Sequence, residues 1–219
     1  VRIVQATHQI QGRKKRYVFS IDEYQLMRNH ISVVSEFMAS QEFIFHRDLL
    51  INHIRTKVPD ILAASEISNG NLRGQAIERI VSQKKIRHQF ADIFLEIGEY
   101  GVHIDVKSKL VQGGSSPKGF SISDLLRILS TGKDMVFALI VLVNVEEGSV
   151  RSSLVPFPSA IMLNGHAIQK HWSGINERGH IQYLGKSLIA AMDNPTQLVE
   201  LEVWEAYLLK WLQDDIILS

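Results

Sequence analysis

The stretch from Met135 to Val145 limits the fold more than any other part of the chain, because it is an almost unbroken apolar run of strand length and β-branched character. A strand of this kind has no polar face to turn to water, so it is expected at the centre of a sheet that is covered on both sides. The remaining chain has to supply those covering layers. Its 219 residues allow one well-buried core with elaborations and do not favour two large independent domains. With 45% hydrophobic residues and both charge signs mixed, burial can offset the entropy of folding, which excludes a disordered scaffold.

The covering layers are legible as helical periodicity. Ser20 followed by Glu23 resembles a capping box, and Tyr24, Met27, Ile31, Val34 and Met38 then recur at helical spacing, which predicts a helix to about Ala39. A second helix is expected from about Phe45 to Lys57, with Leu49, Leu50, His53 and Ile54 in one stripe and Pro59 marking its end. The connection from Met38 to Phe43 either wedges large side chains such as Met38 against DNA bases or packs as an ordinary interhelix turn. After a turn at Asn69-Gly70-Asn71, Ala76, Ile77, Ile80 and Val81 predict a third helix that ends in Lys84, Lys85 and Arg87. Those cations suit a helix C-terminus and are equally candidates for DNA contact.

Around these lie weaker signals. Residues 1 to 19 alternate and carry Arg13-Lys14-Lys15-Arg16, which reads as a strand or arm whose cations either clamp phosphate or stay solvated. Gly113 to Gly119 is the most loop-like stretch and is expected to be flexible, with Lys118 available to a DNA groove. Ser121 to Leu129 reads as a short helix closed by Thr131-Gly132. Ser152 to Leu163 suggests a strand broken by Pro156 and Pro158, and the chain to Gly185 is irregular. Leu198, Leu201, Trp204, Leu208 and Trp211 fall on one side of a final helix, which either packs on the body or supplies a dimer contact. The expected organisation is a helical N-terminal region over 1–70, a core over 71–150 and a C-terminal extension of the same domain over 151–219.

Several chemistries are excluded. The chain has no cysteine, which removes disulfides, thiolate zinc sites and cysteine nucleophiles together and suits a cytoplasmic location. No apolar run approaches the ~20 residues of a membrane span, and polar and basic residues fill the N-terminus where a secretion signal would need an apolar stretch, so the chain reads as soluble and unprocessed. Thr131-Gly132-Lys133-Asp134 lacks the preceding glycine and following hydroxyl of a phosphate loop, so nucleotide triphosphates are not expected as partners. No nucleophile elbow or dinucleotide fingerprint appears. His166, His171 and His180 match no zinc spacing. A net charge of +1 decides nothing about nucleic acid, which depends on local basic surface.

What remains is a constellation in the middle of the chain. Asp92 to Ile97 and Val102 to Lys109 are β-like and are joined by Gly98-Glu99-Tyr100-Gly101, a hairpin signature. Side chains alternate along a strand, so His103, Asp105 and Lys107 share one face while Val102, Ile104 and Val106 take the other. Asp92, Phe94 and Glu96 form the matching row on the first strand, so Asp92 and Asp105 can converge across the hairpin. Carboxylate oxygens suit Mg²⁺, the carbonyl of Val106 can add a neutral ligand, and Lys107 would sit near an attacking water. Buried charges of this kind are costly unless they bind something. The alternative is a solvated strand face. His103 either touches phosphate or bonds a neighbour, and Ser108 and Lys109 extend the strand toward the glycine-rich loop.

Asp92, the intervening residues and then Asp105-Val106-Lys107 resemble the PD-(D/E)xK nuclease motif, with Ala91 where that family frequently carries proline. The order of elements over roughly 72 to 146, a helix before the hairpin and a helix and buried strand after it, is similar as well. The resemblance implies an α/β, restriction-endonuclease-like αβββαβ core with a mixed central sheet and added N- and C-terminal helices. It also implies Mg²⁺ as cofactor and double-stranded DNA as partner. Glu78 resembles the acidic residue that many members carry on the preceding helix, where it assists metal or water binding. Little chain separates that helix from Asp92, so the usual first strand is very short or Asp92 lies on the first visible one, and Glu96 is then the rival for the role of Asp92. The expected function is that of a stand-alone type II restriction endonuclease, a homodimer because palindromic sites ask for two-fold symmetry. A junction resolvase-like nuclease and an inactive DNA-binding module are the alternatives.

Overall fold

The computed structural model describes residues 4–10, 13–82, 91–113, 117–157, 180–183 and 185–214. It is a mixed α/β fold built on a four-stranded sheet of β3 (Ile93–Ile97), β4 (Tyr100–Leu110), β6 (Asp134–Asn144) and β7 (Ser149–Pro156), in that order across the sheet. The β3–β4 and β6–β7 pairs are antiparallel, and β4 and β6 run parallel. A parallel pair needs a crossover connection. Here it is made by β5 (Lys118–Ser121) and α5 (Ile122–Leu129), which leave the end of β4 and return the chain to the start of β6.

The apolar run does become the buried strand it predicts. Residues 135 to 143 of β6 are all buried, and they divide by parity between two cores. Met135, Phe137, Leu139, Val141 and Val143 join Val102, Ile104 and Val106 of β4 beneath Val34 and Phe37 of α1 (Ile21–Ala39), Phe43 and Ile54 of α2 (Gln41–Thr56), Ile61 of α3 (Val58–Ser65) and Ile77 and Val81 of α4 (Gly70–Ser82). Val136, Ala138, Ile140 and Leu142 face α5, α6 (Gly185–Asp193) and α7 (Leu201–Asp214). Each large apolar side chain so removed from water contributes about 1.5–3 kcal/mol. The helix α1 spans both cores, with Met27 and Ile31 in the second and Val34 and Phe37 in the first.

Local chemistry sets the boundaries. The capping box forms: Ser20 Oγ accepts from the Glu23 amide at 3.2 Å, and Glu23 Oε2 accepts from the Ser20 amide at 2.6 Å. Ser40 alone separates α1 from α2, and its hydroxyl caps the second helix by accepting from the Phe43 amide at 3.2 Å. The second helix therefore starts earlier than its periodicity suggests. Met38 is half-buried against the first core and Phe43 is buried within it, so neither is offered to a base stack, and the wedge reading of Met38 gives way to packing. Pro59 marks the end of α2 as expected but also opens α3, because a proline in the first helical turn loses no intrahelical hydrogen bond.

Three further expectations shift. Lys118 belongs to strand β5 and not to a loop, and β5 pairs antiparallel with β8 (His180–Gln182). The N-terminal arm supplies two strands, β1 (Val4–Ile10) and β2 (Arg13–Phe19), paired antiparallel. The backbone of Arg13 and Lys14 lies in β2, whereas the side chains of Arg13, Lys14 and Lys118 lie outside what is described, as do Lys84 and Lys85 entirely. The final helix packs on the body, with Trp204, Leu208 and Trp211 buried and Trp204 Nε1 donating to the Met27 carbonyl of α1 at 2.9 Å. The described residues of 151–214 contribute buried side chains to the same two cores. Among the described residues no helix is long and apolar enough to cross a membrane.

Candidate active site

The β3–β4 hairpin turns at Gly98, whose φ of 59° is the left-handed conformation that favours glycine. Its amide is held by Glu42 Oε1 of α2 at 3.2 Å. From this turn the register runs Ile97 opposite Tyr100, Glu96 opposite Gly101, and so on to Ile93 opposite Ile104. The regular ladder stops there, because the Asp92 amide donates to the Ile104 carbonyl at 3.1 Å, the residue that Ile93 already faces, and Asp92 enters β3 as an irregular step beside Asp105.

The ladder then ends in side-chain chemistry. Asp92 Oδ2 accepts from the Val106 amide at 2.8 Å, occupying the place that the next backbone carbonyl of β3 would take. Successive residues of a strand turn their amide and carbonyl to alternate edges, so the Val106 carbonyl points to this same edge of β4 as its amide does. Among the described residues β3 pairs only with Tyr100 to Ile104, which leaves β4 beyond Val106 without a strand neighbour on that side. The α4 helix lies against this edge of β4, and between them opens a cleft of about 320 Å³ whose lining includes Arg73, Glu78, Lys107, Ser108, Lys109 and Pro117.

Asp105 is 8% exposed, and its parallel partner is the small Ala138. Its Oδ1 lies 2.6 Å from Lys107 Nζ, and its Oδ2 faces the hydroxyl of Tyr183 at 3.5 Å. Asp92 makes side-chain hydrogen bonds with both Asp105 and Glu78. The four residues expected to carry the chemistry are therefore linked in a row, Glu78 to Asp92, Asp92 to Asp105 and Asp105 to Lys107. Glu96 is not with them. It is exposed opposite Gly101, four positions along the same strand from Asp92 and thus roughly 13 Å away at ~3.3 Å per residue.

The two aspartates titrate apart. Burial pushes the Asp105 carboxyl up to about 7, and the neighbouring Asp92 adds to the rise while Lys107 opposes it. Burial also works against ionised Asp92, but the Lys107 ammonium, the Val106 amide and the bonds from Asp105 and Glu78 outweigh it and hold Asp92 below the usual carboxylate range. This is the behaviour of an acid and a carboxylate that share a proton. The three carboxyls form a chain through Asp92, and among the described residues no group of three or more His, Cys, Asp or Glu side chains surrounds a single point as metal ligands.

His103, Lys109 and Ser108 take different places around the site. His103 bonds a neighbour, its Nε2 standing 3.1 Å from Asp134 Oδ1, which ties the start of β4 to the start of β6. Lys109 is buried, burial lowers the pKa of its ammonium, and it donates to the Gly113 carbonyl, so it braces the chain leaving β4 and is not held out to a DNA groove. Ser108 does line the cleft. Tyr183 is the site residue that sequence reading misses. A lone tyrosine after a three-residue strand, β8, in an otherwise irregular stretch carries no periodic signal.

No protein-family model, curated protein or solved structure matches this chain.

Proposed function

We propose that this chain is a Mg²⁺-dependent endonuclease that makes double-strand cuts in DNA at a short specific sequence, in the manner of a stand-alone type II restriction enzyme. The observation that carries this reading is the hydrogen-bonded pair of half-buried Asp92, at the entry to β3, and buried Asp105 of β4, with Lys107 Nζ 2.6 Å from Asp105 and an open cleft beside them. The order α4, β3, β4, α5, β6, with β4 and β6 parallel, supports a PD-(D/E)xK core. The family's usual first strand would fall on residues outside the described set.

The residues fit a small hard cation. Burial, with the neighbouring Asp92 adding to it, keeps the Asp105 carboxyl protonated up to about 7, and a divalent ion held by both carboxylates would relieve that cost. The donors on offer are all oxygens, from Asp92, Asp105 and the Val106 carbonyl, which suits Mg²⁺ better than zinc. Two carboxylates with water completing the shell is the usual manner of holding Mg²⁺, so a preassembled cage of three or more is not required. When bound, the ion supplies Lewis acidity that lowers the pKa of a water and offsets charge on the phosphate.

The chain's own groups do the rest. Lys107 orients the attacking water and stabilises negative charge as it develops on the phosphate. Glu78, bonded to Asp92, accepts a hydrogen bond from that water. Arg73 and Ser108 lie along the cleft where a phosphate backbone would approach. Recognition of a palindromic site would join two copies about a two-fold axis, and a cysteine-free chain suits work in the cytoplasm.

Incubation of plasmid DNA with Mg²⁺ and, separately, with EDTA tests the reading. Discrete fragments in Mg²⁺ alone are the expected result. Preference for branched substrates would reassign the chain to the resolvase type, and DNA binding without cutting in Mg²⁺ would overturn the enzymatic reading.

A further inference from the structure

Within the hairpin Asp105 meets Lys107 and Asp92, and one further polar partner reaches it from outside. Lys107, two residues on along β4, meets Oδ1. The group facing Oδ2 comes from the far end of the chain: Tyr183, fully buried, with its hydroxyl 3.5 Å away. We propose that Tyr183 is a positioning residue for the site, its hydroxyl fixing the rotation of the Asp105 carboxylate so that Oδ1 and Asp92 face a common point. The inference rests on the nuclease reading and deepens it, since it makes the C-terminal region part of the metal-holding apparatus.

Several features of the fold bring that hydroxyl to its position. The Tyr183 amide donates to the Pro117 carbonyl at 2.9 Å, extending the β5–β8 pairing by one more bond and laying Tyr183 over the face of β4 that carries Asp105. The ring then passes so close to Gly119 that a Cβ there would stand 2.4 Å from Tyr183 Cε2, a separation that side-chain carbons do not tolerate. Gly119 is thus the opening that admits the ring. Phe157 packs edge-on to Tyr183 with centroids 6.3 Å apart and fixes its other side. A tyrosine hydroxyl keeps its proton at neutral pH and so remains a donor. Hydrogen bonds behind a ligating carboxylate orient it, and their removal commonly costs about 10–100-fold in metal affinity.

The test uses the full chain and Mn²⁺ as the calorimetric probe. Tyr183→Phe removes one oxygen and keeps the ring. It is expected to melt within about two degrees of the wild type, to weaken Mn²⁺ binding about tenfold and to raise the Mg²⁺ concentration for half-maximal cleavage by a similar factor, with DNA affinity in EDTA unchanged. Gly119→Ala, which displaces the ring while leaving the hydroxyl on it, is expected to weaken Mn²⁺ binding in the same direction, and it provides the comparison if Tyr183→Phe folds poorly. Wild-type Mn²⁺ affinity in a folded Tyr183→Phe variant, beside a wild type that binds and cuts, overturns the positioning role and leaves the nuclease reading intact. A wild type that neither binds Mn²⁺ nor cuts overturns both.

Discussion

Asp105 holds a proton because the fold buries it beside another carboxyl, and this has consequences that can be measured without knowing any substrate. Its carboxyl sits at about 7 in the folded chain against an ordinary value of 3.8. Between those values the folded state keeps a proton that the unfolded state has released, so the metal-free protein loses stability as pH rises from about 4 to about 7. Asn at this position has no proton to lose. The metal-free Asp105→Asn variant should therefore melt above the wild type at pH 8, with the gap closing toward pH 4, as followed by circular dichroism. Asp92, held below its ordinary range, has the opposite sign and contributes stability that is lost only in stronger acid. A cation must displace the Asp105 proton, so Mn²⁺ affinity is expected to strengthen as pH rises toward 7 and to level off above it. Lys107→Ala should lower the cleavage rate by about 10²–10³-fold while leaving DNA binding in EDTA largely intact. Asp105 and Lys107 were legible in the sequence because strand alternation puts them on one face, and Asp92 because the hairpin brings the chain back beside them. Tyr183 was not, since its contact with Asp105 depends on β8 pairing with β5, and no local pattern announces that pairing.

Elements were legible where their signals are local. The capping box of α1 is written in Ser20 and Glu23, and Ser20→Ala is expected to cost about 1 kcal/mol in chemical denaturation. The hairpin is written in Gly98 and the alternation around it. Signals failed where tertiary packing decides the outcome. Ser40 ends one helix and caps the next with no spacer, so a connection expected to span Met38 to Phe43 shrinks to one residue. The glycine-rich segment after β4 looked like loop to its end, yet Lys118 and Gly119 lie in β5, which pairs with β8 through Lys118 and Ser121. Gly101 shows what a single position can carry: a Cβ there would stand 2.3 Å from Asp134 Oδ1, the atom that bonds His103. Gly101→Ala should pry the starts of β4 and β6 apart and destabilise the chain by about 1–3 kcal/mol, measurable by urea titration.

At the scale of the whole molecule, the sheet is a wall with a core on each side, and the site lies where that wall has an incomplete edge. The apolar run at Met135 to Val145 foretold the two-sided burial. What it did not show is how far the C-terminal region reaches into the second core: Tyr183, Leu188, Trp204, Leu208 and Trp211 all lie there with Val136 and Ala138. A fragment of residues 71–150 would expose that face of the sheet to water, so it is expected to aggregate or to lack cooperative unfolding when expressed alone. We propose that Asp92 and Asp105, bonded to each other at the β3–β4 hairpin, with Lys107 beside Asp105, make a metal-dependent phosphodiesterase. The most direct measurement is the rate of supercoiled-plasmid hydrolysis in Mg²⁺ by the wild type beside Asp92→Asn, Asp105→Asn and Lys107→Met, each confirmed as folded. The account predicts cutting by the wild type, its loss in EDTA and its near-complete loss in all three variants; undiminished hydrolysis by any one of them, or none by the wild type in Mg²⁺, would contradict it.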